Sequence, residues 1–271
     1  MNKLPGLQLE VSTQVCPMHP CFLIPLYNHG ETLSQVVGVL SSHQFPIIVV
    51  DDGSHQATKL VAAQIADANP LVTLLTLSKN QGKGAAVMTG LRYAAEQGWT
   101  HALQLDADAQ HDFSDVPYFM YAIRQYPNVL WSGLPVYDAS VPAVRFYGRY
   151  LTHVLVWLQT LSLEIRDSMC GFRAYPIQEI LPVINQHDIP SRMVFDTEVM
   201  VRFFWRGGRV GYVPTKVIYP EAGISHFRMW RDNRQLAWMH CRLVLGMLWR
   251  LPQLVRQRRQ RKKLMLFIEK S

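Results

Sequence analysis

Four short apolar segments in the first half of the chain, each followed by polar residues and a helical pattern, constrain the fold most. The apolar segments are residues 21–26, 46–50, 71–77 and 101–105. Between them, apolar residues recur at helical spacing, as in residues 31–40, 58–68 and 84–97. Short apolar strands that alternate with helices of ~10–15 residues indicate an α/β fold with a parallel sheet and helices on both faces.

Polar residues lie at the end of each of these predicted strands. They are Tyr27-Asn28, Asp51-Asp52, residues 78–81 and residues 106–108. In open parallel sheets, ligands bind beyond the carboxyl ends of the strands. The sequence therefore predicts a ligand site at this edge of the sheet. The second half is less regular, and we expect a helix over residues 145–163, a loop over 167–173, a helix over 195–204 and short strands at 209–213 and 216–219.

Composition excludes a disordered chain, and the charge is concentrated in the tail. The chain has 271 residues, of which 49% are hydrophobic and 17% charged, which suffices for a full core. Residues 226–271 hold 12 basic and 2 acidic side chains, whereas residues 1–225 hold 15 basic and 18 acidic ones. A basic tail is typical of contacts with nucleic acid or an anionic membrane. Because the body has no matching basic stripe, we expect no nucleic-acid partner.

The sequence gives no sign of export or of a membrane span. The first ten residues contain no apolar leader, and the uncharged stretches of interest, residues 150–163 and 243–249, are shorter than the ~18 apolar residues that a span needs. The four cysteines form no CxxC pair and no zinc pattern, so buried free thiols in a reducing compartment are expected. We therefore expect a cytoplasmic protein that is peripheral on the cytosolic face of the membrane.

Two acidic motifs at strand ends carry candidate chemistry. Asp106 and Asp108 flank one alanine, and Gln110 follows two residues later. Closely spaced carboxylates suit Mg²⁺ or Mn²⁺ that bridges to phosphate oxygens, although alone such a pair is more typical of a solvated strand end. Asp51-Asp52-Gly53-Ser54 is either a turn or a site at which a carboxylate accepts hydrogen bonds from a nucleobase or ribose.

Five motifs in a fixed order carry a resemblance to a known family. They are Ile24-Pro25-Leu26-Tyr27-Asn28, Val50-Asp51-Asp52-Gly53-Ser54, Asn80-Gln81-Gly82-Lys83-Gly84, Leu105-Asp106-Ala107-Asp108-Ala109-Gln110-His111 and Asp167-Ser168-Met169-Cys170-Gly171-Phe172-Arg173. Together they resemble a family 2 glycosyltransferase with the Rossmann-like GT-A fold, similar to the polyprenyl-phosphate (dolichol-phosphate) mannosyltransferase-like group. The resemblance implies an extension over residues 1–20, a GT-A domain over 21–228 and a basic amphipathic tail over 229–271.

The resemblance also implies a donor site and a chemistry. A UDP- or GDP-sugar would bind with a divalent cation, Mg²⁺ or Mn²⁺, and the sugar would be transferred with inversion. The implied nucleotide-binding residues are Pro25, Tyr27, Asp52, Lys83 and Asp106, and the implied metal-binding residues are Asp106, Asp108, Gln110 and His226. The chain departs from the family where His29-Gly30 precede Glu31 and where Cys170 replaces a serine.

The acceptor side is less determined by the sequence. An acceptor hydroxyl needs a general base, for which Asp167 and Glu198 are candidates, whereas an acceptor phosphate is already an anion and needs none. Glu198 would alternatively complement a helix dipole. Arg145, Arg149 and Arg173 are candidates for binding an acceptor phosphate, and a solvated basic face is the alternative for the first two.

The tail has two interpretations. Apolar residues from Leu236 to Leu254 recur at helical spacing, with tryptophans and arginines on other faces. This pattern is typical of an interfacial membrane helix, but equally of a helix packed on the body. Overall, we expect a metal-dependent inverting glycosyltransferase with a lipid-linked acceptor such as polyprenyl phosphate. The alternative is a non-catalytic nucleotide-sugar-binding or membrane-docking protein that retains the fold.

Overall fold

A computed structural model of the protein describes residues 18–136, 143–216, 229–260 and 266–267. For residues 143–148, 229–232 and 266–267 it describes the backbone alone. The strands are β1 (Pro20–Leu26), β2 (Ile47–Asp51), β3 (Val72–Thr76), β4 (His101–Gln104), β5 (Val129–Val136), β6 (Arg173–Pro176), β7 (Arg209–Lys216) and β8 (Leu266–Phe267). The helices are α1 (Gly30–Ser41), α2 (Gln56–Ala68), α3 (Lys83–Glu96), α4 (Val116–Gln125), α5 (Ala143–Thr160), α6 (Ile177–Gln186), α7 (Phe195–Trp205), α8 (Met229–Trp249) and α9 (Leu251–Gln260).

The described strands form one mostly parallel sheet in the order β3-β2-β1-β4-β6-β5-β7-β8. Only β6 runs antiparallel to both of its neighbours, β4 and β5. Helices α1, α2 and α3 connect the parallel strands β1 to β4, so the carboxyl ends of these four strands meet at one edge.

A hydrophobic core lies on each face of the sheet, because successive strand side chains point to opposite faces. Leu23 and Ile48 pack into the core formed with α3, α6, α7 and α8. Phe22 and Ile24 pack into the other core, formed with α1 and α4. The predicted α/β class, with a mostly parallel sheet and helices on both faces, is confirmed.

The second half differs from the sequence prediction in two strands. The sequence predicts two strands, at residues 209–213 and 216–219, whereas β7 is continuous from Arg209 to Lys216 and includes Pro214; residues 217–219 lie outside the described residues. Pro214 lies beyond Gly211 and Tyr212, the residues of β7 that pair with the described residues of β8. The expected loop over 167–173 also ends earlier than predicted, since Arg173 begins β6.

The C-terminal helices pack on the body of the protein. The helical structure is interrupted between α8 and α9. Pro252 lies in the first turn of α9, where a proline costs no hydrogen bond. Met239, Leu243 and Met247 of α8 and Leu254 of α9 are buried in the core. Apart from Leu251, which is exposed, this apolar stripe therefore faces the protein, as in the second of the two interpretations of the tail.

A different part of α8 faces solvent. Its exposed apolar side chains, which we call the exposed α8 face, are Trp238, Leu245, Leu248 and Trp249. None of the helices in the described ranges is long and apolar enough to cross a membrane.

Candidate active site

The centre of the candidate site is an ion pair at the carboxyl end of β4. Lys83, the first residue of α3, places its Nζ 2.8 Å from Oδ1 and 2.9 Å from Oδ2 of Asp106. The same Nζ lies 3.4 Å from Oδ2 of Asp196, at the start of α7. His111 Nε2 lies 3.5 Å from Asp106 Oδ2. The structure thus brings together two residues predicted from sequence, Lys83 and Asp106, with two that were assigned no role.

The charges of this cluster stabilise one another. Burial alone would raise the pKa of Asp106, but the Lys83 ammonium and the His111 ring outweigh it and hold that pKa well below its ordinary value. Burial alone would lower the pKa of Lys83, but Asp106 and Asp196 raise it above its ordinary value. Lys83 is therefore a cation and Asp106 an anion at neutral pH.

The loop before β6 covers this ion pair. A Cβ on Gly171 would lie 2.5 Å from both Oδ2 of Asp106 and Nζ of Lys83, closer than real side chains approach. Only glycine lets the backbone come this near to the pair. The motif Cys-Gly-Phe-Arg therefore forms a wall of the site.

Asp52, expected at the nucleoside, supports the glycine-rich loop. Its two carboxylate oxygens accept hydrogen bonds from the backbone N–H groups of Gln81 and Gly82, each at 2.7 Å. Burial raises the pKa of Asp52, and these two N–H groups offset part of that rise. Gly82 has a φ of 105°, a conformation that side-chain-bearing residues rarely adopt, and it lies against Ser191. Asp52 therefore holds the loop that presents Lys83.

The other predicted nucleoside residues line the same edge. Pro25 lies near the end of β1, and both Pro25 and Tyr27 are half-buried. The backbone N–H of Asn28 donates to Ser54 Oγ at 3.0 Å, which joins the ends of β1 and β2. Glu31 lies in the first turn of α1 and is exposed. Glu31, the acid that follows His29-Gly30 where the chain departs from the family motif, therefore faces solvent.

The predicted metal ligands lie in a turn after β4. Asp108 Oδ1 accepts a hydrogen bond from the Gln110 backbone N–H at 3.1 Å, and Ala109 between them has a φ of 57°. Carboxylate and amide oxygens suit Mg²⁺ or Mn²⁺, which proteins bind with one or two carboxylates and substrate phosphates. Across the described part of the chain, no three His, Cys, Asp or Glu side chains cluster to hold a metal. Asp108 and Gln110 carry oxygen donors of this kind, and His226 lies outside the described residues.

Asp167, one of the two candidate bases, is fully engaged by neighbouring groups. Its Oδ2 lies 2.6 Å from both Nε and one Nη of Arg149, and 3.4 Å from His153 Nε2. Its Oδ1 accepts the backbone N–H groups of Met169 and Cys170 at 2.8 and 2.9 Å. Burial would raise the pKa of Asp167, but His153 and Arg149 outweigh it and hold that pKa well below its ordinary value.

Glu198, the other candidate base, belongs to a different cluster. Its side chain is 0% exposed, and its two oxygens lie 2.7 Å from Arg202 and 2.5 Å from Arg242. Arg242 lies on α8, so this carboxylate joins α7 to the C-terminal helix. The structure does not place Glu198 among the contacts of Asp106.

The three candidate phosphate-binding arginines have different surroundings. Arg173 is 0% exposed and donates to the backbone carbonyls of Asp196 and Ser168, each at 2.6 Å, so it ties the 167–172 loop to α7. Arg149 is partly exposed beside Asp167. The side chain of Arg145 lies outside the described residues, although its backbone belongs to α5.

Sequence reasoning assigned no role to Asp196, His111 or His153. His111 directly follows the acidic motif, and this adjacency was the available signal. Asp196 and His153 carry no local signal, because they reach the site through the packing of α7 and α5.

Comparison with known proteins identifies the family of the chain. The model of a family described as glycosyl transferase family 2 matches residues 21–180. The undecaprenyl-phosphate mannosyltransferase of Micrococcus luteus is 28% identical over 212 residues, which cover 75% of this chain and 85% of that protein. The dolichyl-phosphate beta-glucosyltransferase of Homo sapiens is 27% identical over 260 residues, which cover 85% of this chain and 77% of that protein.

A solved structure shares the fold. Glucosyl-3-phosphoglycerate synthase from Mycobacterium tuberculosis, in complex with Mn²⁺ and UDP-glucose, aligns with a TM-score of 0.61 and 15% identity. The alignment covers 86% of this chain and 79% of that one. At this identity the likeness establishes the architecture alone.

Proposed function

Because the chain belongs to glycosyl transferase family 2, we propose that it moves a sugar from a nucleotide-sugar donor to a lipid phosphate, with a divalent cation and with inversion at the sugar carbon. The names of two relatives, which act on undecaprenyl phosphate and dolichyl phosphate, support this acceptor class. The structural argument comes from the two carboxylates that were candidates for a general base.

The state of Asp167 is the observation that carries the proposal. A carboxylate whose pKa is held far below its ordinary value is a weak base, and Asp167 is held so by His153 and Arg149. Glu198 is buried between two arginines that occupy both of its oxygens. Neither candidate is poised to take a proton from a hydroxyl. A lipid phosphate needs no such base, since it is already an anion.

Arg149 is the residue that we assign to the acceptor phosphate. Asp167 holds its guanidinium through two nitrogens, which fixes its orientation, and the side chain remains 19% exposed. An oriented guanidinium favours a phosphate group through paired charge-assisted hydrogen bonds. Arg173, which is fully buried, is assigned a positioning role instead of a phosphate contact, because it joins the 167–172 loop to α7.

On the donor side, the residues at the ends of β1, β2 and β4 would hold the nucleotide. Pro25 and Tyr27 would contact the nucleoside, Asp52 would shape the loop, and Lys83 would face the diphosphate. Asp106, Asp108 and Gln110 would hold Mg²⁺ or Mn²⁺, and the cation would neutralise charge on the leaving diphosphate.

The acceptor class requires access to a membrane surface, and the exposed α8 face supports peripheral binding. Trp249 is 87% exposed and Trp238 is 69% exposed. Arg256, Arg258 and Arg259 follow on α9. Exposed tryptophans beside a basic helix are typical of binding at a lipid interface. We propose the cytosolic face, where anionic lipids attract such segments.

An acceptor panel tests the proposed function. The purified protein would be incubated with Mn²⁺ or Mg²⁺, with UDP- or GDP-sugars, and with either polyprenyl phosphate or the matching free polyprenol. We expect a glycosyl phospholipid from the phosphate alone, and no product when EDTA is in excess. Asp108→Asn should remove most of this activity and leave the fold intact. Equal transfer to the free alcohol would refute the acceptor, and donor binding without transfer would favour a non-catalytic binding protein.

A further inference from the structure

The Lys83 ammonium contacts the carboxylate oxygens of Asp106 that a bound divalent cation would need as ligands. Its Nζ is within 2.9 Å of both carboxylate oxygens of Asp106. A divalent cation coordinated by Asp106 needs a lone pair of one of these same oxygens. The backbone of Gly171 lies directly over this ion pair. It therefore limits the room for Lys83 and a divalent cation to contact Asp106 at the same time.

The charges around Asp106 also disfavour a divalent cation that binds without a nucleotide. Leaving His111 aside, Lys83 and Arg173 contribute two positive charges and Asp106, Asp108 and Asp196 three negative ones, so these five side chains carry one net negative charge. A divalent cation alone would reverse this sign in a partly buried site. The diphosphate of a nucleotide sugar brings two negative charges and would restore the original balance. The cluster therefore favours cation and nucleotide together over the cation alone.

Lys83 also has a second partner available. Asp196 Oδ2 lies 3.4 Å from its Nζ, and the four-carbon side chain can turn about several bonds. When Asp106 is taken by a cation, the ammonium can remain on Asp196 or contact the incoming diphosphate. Neither arrangement leaves the Lys83 charge unpaired.

We propose that Lys83 competes with the divalent cation for Asp106 and thereby makes cation binding depend on the nucleotide. The inference rests on the proposed metal site at Asp106 and Asp108. In it Lys83 is a positioning residue that holds the site closed to the cation until a diphosphate is present.

Mn²⁺ binding in the absence of turnover tests this inference. Free Mn²⁺ would be measured by electron paramagnetic resonance during titration of the full chain, alone and with UDP or GDP. The variants are Lys83→Met, which removes the charge, and Lys83→Arg, which keeps it. Lys79→Met is a matched control, because Lys79 is an exposed lysine near the start of the same loop. Circular dichroism and melting temperature would show that each variant is folded.

We expect Lys83→Met to bind Mn²⁺ more tightly than the unmodified protein when no nucleotide is present. The enhancement of Mn²⁺ binding by nucleotide should fall by roughly 5-fold or more, the lower end of usual coupling between two ligands. Lys79→Met should behave like the unmodified protein, and Lys83→Arg, which keeps the charge, should bind Mn²⁺ no more tightly than the unmodified protein does.

Two outcomes would overturn the inference and are distinguishable from each other. Equal Mn²⁺ affinity in Lys83→Met and the unmodified protein, with the nucleotide effect unchanged, would show that Lys83 does not compete for Asp106. The proposed function would survive that result. No Mn²⁺ binding to any variant, with or without nucleotide, would overturn both the inference and the proposed metal site.

Discussion

The carboxylate of Asp106 lies beneath the backbone of Gly171, so one added carbon atom at position 171 would contact the ion pair of the site. The nearest groups to a side chain at position 171 would be the ends of two polar side chains, Asp106 and Lys83. Such ends can move, so a methyl group there would displace the ion pair and leave the surrounding backbone in place. A change at this position should therefore affect the site more than the fold.

Gly171→Ala tests this at the residue scale. We expect kcat/KM to fall by about 10-fold or more, since a displacement of ~1 Å in a catalytic site costs up to ~10²-fold, while the melting temperature changes little. Gly38→Ala is the control, because nothing lies within 4 Å of a Cβ at that exposed helical position. Unchanged kinetics of Gly171→Ala would show that the pair tolerates displacement.

The position of four predicted site residues at one edge of the sheet could be predicted from the sequence, because it depends on local structure. Asp52, Lys83, Asp106 and Asp108 each follow a strand or open a helix, and parallel strand ends meet at one edge whatever the rest of the chain does. The partners of these residues could not be predicted in the same way. Asp196 reaches Lys83 only because α7 packs beside α3, and no short-range pattern records that packing.

At the scale of helices and strands, buried polar contacts fix the C-terminal helices to the body. Glu198 on α7 is paired with Arg242 on α8, and Gln159 on α5 donates to His240 Nδ1 on α8 at 2.9 Å. The Gln253 and Gln257 side chains of α9 donate to the backbone carbonyl of Trp205, at 3.2 and 3.1 Å. The amphipathic pattern of the tail left its partner open, and these contacts identify the partner as the body of the protein.

Glu198→Gln separates an anchoring role from a catalytic one. Removing one partner of a buried pair leaves unpaired charge, and because the two arginines are partly solvated we expect a loss of about 1–3 kcal/mol of stability. The turnover of the folded enzyme at 20–25 °C should stay within a few fold of the unmodified protein. Glu179→Gln on α6 is an exposed control. A rate loss of ~10²–10⁴ without destabilisation would instead identify Glu198 as a general base.

His240 makes the stability of this helix packing depend on pH. Burial lowers the pKa of His240 to about 4, whereas an unfolded histidine titrates near 6.5. The unfolded chain therefore binds more protons between these values, and stability is lost as the pH falls from about 6.5 to about 4. The Gln159 hydrogen bond to Nδ1 requires the neutral ring, which agrees with this direction.

We expect unfolding free energies to show this dependence. Between pH 7 and pH 4.5, the unmodified protein should lose about 1–3 kcal/mol more stability than His240→Gln, whose side chain does not titrate. Denaturant unfolding of both proteins across this range provides the measurement. Parallel pH curves for the two proteins would show that His240 is not responsible.

At the scale of the whole molecule, the proposed function requires the active-site edge and the exposed α8 face to serve one reaction. The basic tail does not present its apolar stripe to solvent, because Met239, Leu243 and Met247 are buried. The membrane contact that we propose is therefore the exposed α8 face together with the arginines of α9. This division could not be predicted from helical spacing, since both faces of α8 contain large apolar residues.

Replacement of Trp238 and Trp249 by serine tests the membrane surface. We expect the double variant to co-sediment with anionic vesicles less than the unmodified protein, and binding of both to weaken with salt, because surface charges are screened within ~8 Å at physiological ionic strength. Leu60→Ser on α2 is the control, because it removes an apolar side chain that is 54% exposed elsewhere. Equal co-sedimentation of all three proteins would exclude the exposed α8 face as the membrane contact.

The central claim is that the enzyme accepts an anion and that Asp167 orients Arg149 instead of removing a proton. The most direct test is the kinetics of Asp167→Asn with polyprenyl phosphate as the varied substrate. We predict that the KM for the acceptor rises by about 10-fold or more, consistent with the ~1.5–3 kcal/mol of a charged hydrogen bond, while kcat and the shape of its pH profile are largely retained. Arg149→Ala should show the same pattern. A kcat reduced by ~10²–10⁴ at unchanged KM, with an altered pH profile, would contradict the account and identify Asp167 as the general base.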